Sequence, residues 1–419
     1  MTYLWKIFTS LRLTVILLGF CVVLVFLGTL AQIDEGLYGA LARWFRSYFV
    51  LRRAGDPLYV PPIFPGGYLL GILLLVNLTA AHIKRFKFTW RQAGINLTHT
   101  GIILLLLGQL ITDQFAQESI LSFREGETRH FSEATQQWEL AFVHPLDERQ
   151  EQVVAIPEAL LRDGAELRDP KLPFTIRVRT WWINSEPAFR APMQQTDPPI
   201  SENGIAKDWD FHAIPETKKM DERNNPTAIL ELAGAKGEVL GTWVVSAWAS
   251  DAMMIQGVRN AYARTVGADS AQTIADKLGA PQELEAGGVK WRMTLRAARF
   301  YKPFSVTLLK TTHDTYPGSE IPKDFRSRIR IDNPDTGEKR EVEVYMNSPL
   351  RYEGLTFYQS TMGRDDVKDV GRSGLQVVKN PGWLTPYAGC IVVAIGMLWQ
   401  FFYHLTGFIQ KRRLTAATA

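Results

Sequence analysis

Cysteine is nearly absent from this 419-residue chain: it has Cys21 and Cys390, and both fall inside apolar stretches. The long polar region between them therefore has no disulfide staple, no dithiol redox centre and no CxxC zinc site. Long runs of one charge are missing too. Lys and Arg number 47 against 43 Asp and Glu, a formal charge of +4, which argues against nucleic acid as a partner. No phosphate loop, dinucleotide fingerprint, nucleophile elbow or metal-protease motif occurs. No catalytic residue is assigned, and no self-contained active site is expected.

What the chain does have is apolar length. Four windows could span a bilayer: about 13–31, 68–83, 95–111 and 386–409. A cleavable signal peptide is the alternative for the first, with Thr29 and Ala31 at the cleavage positions. Its long apolar core and the three later windows favour a retained span. The second and third lie near the ~17-residue lower limit for crossing a ~30 Å hydrocarbon core.

Lys and Arg set the orientation. Lys6 and Arg12 precede the first window, Lys84, Arg85, Lys87 and Arg91 separate the second and third, and Lys411, Arg412 and Arg413 follow the fourth. All three sets fall on one side if every window spans, and that side is expected to be cytoplasmic. Segments 33–66 and 113–384 then face the periplasm or its equivalent. Arg43, Arg46, Arg52 and Arg53 run against the rule. Leu37, Leu41, Trp44, Phe45, Tyr48 and Phe49 recur at helical spacing, which predicts an amphipathic helix over about 36–50 lying on the outer surface.

The outer region reads as mainly β. Alternation marks a hairpin over 229–245, broken at Gly234-Ala235-Lys236-Gly237, and another from Arg328 to Tyr345 with its turn at Asn333–Gly337. Leu172–Val178 and Lys302–Leu308 echo each other, hinting at two related β-sandwich layers. Residues 251–278 are expected to be helical, and 186–226 Pro-rich and irregular. The fold class is thus a membrane protein: four transmembrane α-helices plus a large mainly-β extracytoplasmic domain inserted between helices three and four. The division is 1–112 for the N-terminal membrane region, 113–384 for the periplasmic domain, and 385–419 for the last span with a short cytoplasmic tail.

Among the histidines, His130, His144, His212 and His313 are scattered without ligand spacing and read as ordinary surface or hydrogen-bonded residues. Asp208, Asp210 and His212 read as a solvated loop. Trp181-Trp182 resembles tryptophan-rich haem motifs, but an aromatic pair packing a β core is the better reading. His82, His99 and His404 are different, because topology puts all three at a similar depth towards the cytoplasmic face. Ionisable groups inside spans usually face a bundle interior or cavity, and imidazole is a common axial ligand of haem iron. Spacing alone favours the plainer alternative, three polar anchors bonding water or lipid at the headgroups. Asn77 and Gln109 are expected to join helices by hydrogen bonds.

Several motifs carry a resemblance. They are Ser10-Leu11-Arg12-Leu13 leading to Gly28-Thr29-Leu30-Ala31-Gln32, Asn77-Leu78 with Ala81-His82-Ile83, and His99-x-Gly101-Ile102 with Gly108. Ile111-Thr112-Asp113 through Arg124-Glu125-Gly126-Glu127 follows, then Tyr316-Pro317-Gly318-Ser319 and Met346-Asn347-x-Pro349-Leu350. Gly354-x-x-Phe357-Tyr358-Gln359-Ser360 and Asn380-Pro381-Gly382 close the series, the last position 380 being more often Asp in the family. In this order they resemble the ResB (CcsB) family of system II cytochrome c biogenesis proteins over the whole chain.

The resemblance implies a membrane subunit of the synthetase that carries haem outward and attaches it to apocytochrome c. Its partner would be a CcsA (ResC)-type haem-handling protein with a tryptophan-rich segment, which is absent here, so this chain is expected to be one half of the complex. A CxxCH acceptor motif is also absent, which suits a maturation factor rather than a cytochrome. Haem b is implied as transient cargo. The ligating transmembrane histidine is carried onto His99 first, as iron ligand, then His82, with His404 a distant third. Further implied partners are apocytochrome c, a thioredoxin-like protein that keeps its thiols reduced, and membrane lipid. The implied location is the bacterial cytoplasmic membrane with both termini cytoplasmic. A scaffold or apocytochrome-presenting subunit that binds no haem is the alternative; a membrane-anchored sensor is disfavoured by the short inner segments.

Overall fold

The computed structural model describes residues 2–147, 150–190, 197–219, 222–319, 322–365 and 370–418. Four of its helices are long and apolar enough to cross a membrane: Leu11–Phe45, Gly67–Arg85, Trp90–Phe115 and Thr385–Arg413. Between the third and fourth, the chain builds a large mainly-β body from Gln117 to Lys379. The helices outrun the apolar windows because polar ends such as Trp90-Arg91-Gln92 and Gln410-Lys411-Arg412 continue the same backbone hydrogen bonding.

The first helix begins at a Ser10 cap that accepts from Arg12 N. It runs Leu11–Ala40 with a break at Gly36 (φ 69°), continues as a π-turn over Leu41–Phe45, and gives way to the strand Phe49–Leu51 paired with Ile63–Pro65. A separate surface helix over 36–50 is therefore not what forms, and two contacts explain why. Gly36 lies so close to the β body that a Cβ there would sit 2.5 Å from Lys218 O, while Tyr38 N donates to that carbonyl. Arg43 turns inward, donating to Glu35 at 2.6 Å, to Leu51 O at 2.7 Å and to both carboxylate oxygens of Asp56. One of the four arginines that run against the charge rule is thus neutralised locally. Trp44 beside it is fully buried.

The helices pack as a row, first on second, second on third, and third on fourth. Asn77 is fully buried and ties the second helix to the start of the first: it accepts from Thr14 at 2.6 Å and donates to Phe8 O at 2.8 Å. Gln109 is exposed and has no hydrogen bond to another helix among the described residues.

A ten-stranded sheet organises the β body. Its spine is the 27-residue strand Val289–Thr315, flanked by Thr128–Pro145 and Pro322–Asn333. One end of the sheet packs on a four-stranded sheet containing Phe174–Trp182 and the hairpin Thr227–Gly234/Val239–Ser246. The other end curls around its own core. The echoed segments supply one core each: Phe174, Ile176 and Val178 the first, Phe304, Val306 and Leu308 the second. Alternate residues face inward in both, as a half-buried strand requires. Trp181 packs on the first core. Helices Ala252–Val266 and Ala268–Leu278 cover a third cluster, which receives Trp182. Residues 186–226 contain a hairpin, Ser185–Phe189 with Trp209–Ala213. Asp210 and His212 therefore stand on a strand and not in a solvated loop; Asp210 is held by Arg190 at 2.6 Å, and Asp208 by Lys277 at 2.7 Å.

The body joins the helices through two adjacent strand ends. Gln117 continues directly from the third helix and pairs with Lys379, which leads through Asn380-Pro381-Gly382 into the fourth. Two neighbouring antiparallel strands thus deliver two neighbouring antiparallel helices.

Near this junction Lys302 is half-buried without a carboxylate, donating to Ser132 Oγ at 2.6 Å and Phe300 O at 3.1 Å. Burial lowers its pKa to about 8. The unfolded lysine titrates near 10.4, so the unfolded state binds more protons between those values and the lysine's contribution rises with pH across that window. The stability difference between Lys302→Met and wild type should therefore change by up to roughly 3 kcal/mol between pH 7.5 and 10.5, in favour of wild type as pH rises. Denaturant titrations of both proteins at the two pH values measure it. A difference independent of pH contradicts the burial account.

Candidate functional site

The third and fourth helices approach unusually closely because glycines recur every seven residues on each. Gly94, Gly101 and Gly108 face Gly396, Gly389 and Thr385 in antiparallel order. A Cβ on Gly101 would lie 2.6 Å from Val393 Cγ2 and 2.9 Å from Gly389 O; one on Gly396 would lie 2.7 Å from Gly94 O. Small residues let backbones meet in this way, and in an apolar solvent that close packing drives association. At the far end from the β body the pair is clamped by Trp90 and Trp399, stacked at 5.2 Å, with Trp399 Nε1 donating to Trp90 O at 3.0 Å.

The glycine seam brings the backbones together and leaves a groove of about 590 Å³ beside it near that far end. Ile95, Thr98 and His99 line one wall; Met397, Gln400, Phe401, His404, Leu405 and Phe408 line the other. The size and the apolar walls with a few convergent polar groups are those of a cofactor-sized site. Gln400 Nε2 lies 2.6 Å from His404 Nε2, and Gln400 Oε1 is buried against Gly94 without a partner.

His82 reaches the same region from the second helix. Its ring meets that of His99 edge to face at 5.8 Å, flanked by Phe86 at 5.5 Å, and its Nε2 lies 3.5 Å from Thr100 Oγ1. His82 and His99 are half-buried and His404 is exposed. The structure thus gathers His82 with His99, and His99 with His404. His82 does not line the groove. The polar groove residues that sequence reasoning missed are Thr98 and Gln400; the matching glycine heptads on two distant windows were the signal for them.

None of the outer histidines joins a comparable arrangement. His130 packs on Phe131 and Tyr301, His144 on Trp291, and His313 on Phe325. Among the described residues no group of three His, Cys, Asp or Glu could hold a metal ion.

The molecule is thus a row of apolar helices with a histidine-bearing groove at one end and a large β body at the other. Residues 79–370 match the ResB-like family, and the chain belongs to that family. The matched range includes His82 and His99 but not His404. The chain is also similar to Protein NrfI of Wolinella succinogenes, 23% identical over 362 residues, covering 83% of this chain and 32% of NrfI. It therefore spans about a third of that relative's length.

Proposed function

We propose that this chain is a membrane subunit of a cytochrome c maturation complex, handling haem at the histidine-bearing end of its helices and offering apocytochrome c at the other. Membership of the ResB-like family supports the maturation role, and the observation that carries the haem assignment is the apolar groove holding His99, with His82 packed against it. The basic residues around the short loop 86–89 and at the end of the fourth helix favour placing the groove towards the cytoplasm, with the β body in the periplasm. His99 would hold the haem iron through its imidazole, and the apolar residues lining the groove would lie against the macrocycle. His99 is the first ligand in this reading and His82 supports or replaces it. A CcsA/ResC-type partner completes the path to the acceptor.

Thioether formation adds each acceptor S–H across a haem vinyl group, so the step needs position more than acid–base chemistry. The thiols must arrive reduced, which is the part of a thioredoxin-like protein. One edge of the β body suits the acceptor. Leu350–Tyr352 pairs only Leu355–Phe357 of the strand Leu355–Asp365, so Tyr358–Gly363 has no further strand on that side among the described residues. An extended peptide can add to such an edge.

In cells lacking their own copy of this chain, His99→Ala should lower covalent haem in c-type cytochromes by about ten-fold or more, with a smaller loss for His82→Ala. Haem staining of membrane proteins after electrophoresis reads it out. Normal staining with both variants, where deletion abolishes it, transfers the chain's role to scaffolding or acceptor presentation.

A further inference from the structure

We propose that the elbow at Thr9, where the short helix Thr2–Phe8 meets the first span, binds the headgroup of an acidic phospholipid. The proposal is independent of the haem-handling reading and needs only that the apolar helices cross a bilayer. It starts from a charge imbalance confined to one end of the molecule. The end away from the β body carries nine basic residues in three groups, at 6–12, 84–91 and 411–413. Residues 1–33, 57–112 and 370–419 contain no Asp or Glu at all. Nine positive charges within an overall +4 leave −5 for the rest of the chain. An acidic headgroup layer complements such an end.

Two of the nine converge on one residue. Lys84 Nζ donates to Thr9 Oγ1 at 2.9 Å, and Arg85 Nη2 donates to Thr9 O at 3.4 Å. Thr9 is buried, and the elbow around it is fixed. Asn77 Nδ2 donates to Phe8 O at 2.8 Å and to Ser10 O at 3.2 Å, while Thr9 Oγ1 donates to Trp5 O at 2.8 Å. Two cations held on one residue repel, and more strongly beside a bilayer than in bulk water. The carbonyl end of the second helix supplies only about half a negative charge, which does not balance both. A phosphodiester does. Each cation keeps N–H donors beyond the one given to Thr9, and both side chains are exposed. The acyl chains find a surface as well. Tyr3, Leu4, Trp5 and Ile7 are exposed although apolar, because the extended Ser10 (ψ 129°) turns their helix off the axis of the first span. Tyr and Trp favour the boundary between headgroups and hydrocarbon. Adjacent parts of the elbow thus meet the two parts of one lipid, which is why a lipid fits better than a free phosphate.

The test titrates the full chain in detergent with phosphatidylglycerol and with phosphatidylcholine of the same acyl chains, and counts bound lipid by native mass spectrometry. Wild type is expected to retain one phosphatidylglycerol about ten-fold or more tightly than phosphatidylcholine, the preference two surface cations supply. The pair Lys84→Gln/Arg85→Gln keeps donors for Thr9 and should lose that preference. The pair Lys411→Gln/Arg412→Gln makes the same change in charge at the same end and should keep it. Equal loss in both pairs overturns the proposal in favour of a diffuse surface field, as does wild type without a preference. Displacement of the lipid by glycerol phosphate at matched concentration assigns the cations to a free phosphate ester, and displacement by haemin assigns them to haem propionates; either result overturns the lipid site. The histidine variants above test the proposed function separately.

Discussion

Gly101→Leu should separate the third and fourth helices and abolish the groove. The added Cβ would lie 2.6 Å from Val393 Cγ2, 2.9 Å from Val393 N and 2.9 Å from Gly389 O, and two of those three atoms are backbone. No rotamer change relieves such a contact, so the helices must part, and overpacking of this kind costs about 1–3 kcal/mol or more. Parting also undoes the neighbouring approaches of Gly94 to Gly396 and of Gly108 to Thr385, because the seam is continuous. Under the proposed function the expected result is loss of haem binding, together with loss of the stacking between Trp90 and Trp399, while the β body, with its separate cores, keeps its melting transition. Gly71→Leu is the matched control: it lies in the second helix with nothing within 4 Å of its Cβ position. Titration with haemin and tryptophan fluorescence on the two variants separate the cases. Equal haem binding by both would show that the seam does not shape the groove.

Removing Arg43 should be the most damaging change at the opposite end. Its side chain is 6% exposed and serves Glu35 and Asp56, themselves 21% and 13% exposed. Arg43→Ala leaves two largely buried carboxylates facing each other without a cation, a situation that typically costs about 3–5 kcal/mol. Arg43→Lys should recover only part, since one ammonium cannot reproduce a guanidinium fork shared between Glu35, Asp56 and Leu51 O. The same network gives an acid signature. The hydrogen bond from Arg43 holds the Asp56 carboxyl at about 2, against an ordinary 3.8. A lowered folded pKa means its stabilisation is complete above pH ~4 and is lost as pH falls towards 2. In Arg43→Ala that contribution is gone and protonation relieves the unpaired carboxylates, so the stability gap between wild type and Arg43→Ala should be widest above pH ~4 and narrow as pH falls towards 2. Thermal melts from pH 2 to 7 follow this directly. Identical acid profiles would remove the network from the account.

Where the chain obeys a simple period, its structure was legible. The hairpins at 227–246 and 322–345 are alternating runs broken by Gly-rich or Asn-Pro-Asp turns, and both form as expected. Asp251 caps the helix that follows it through its own side chain, so helicity over 251–278 could be read locally. Four apolar helices with a mainly-β body followed from hydropathy and alternation alone.

What escaped depends on partners distant in sequence. Residues 36–50 carry a helical period, yet Gly36 breaks at Lys218 and Arg43 is drawn to Asp56. The hairpin Ser185–Phe189 with Trp209–Ala213 is hidden because its strands are short and separated by a long Pro-containing connection. The histidines were visible as residues and their depth followed from topology, but neither period nor spacing could say that His404 shares a groove with His99. That pairing follows from the register of two glycine heptads lying almost 300 positions apart.

The measurement closest to the central claim is the Soret spectrum of the purified protein, with and without the proposed CcsA-type partner, for wild type, His99→Ala and His82→Ala. The account predicts a haem band in wild type that His99→Ala removes or converts to weaker ligation, with His82→Ala shifting it less. A haem band unchanged by either substitution, in a chain on which cytochrome maturation still depends, would contradict it.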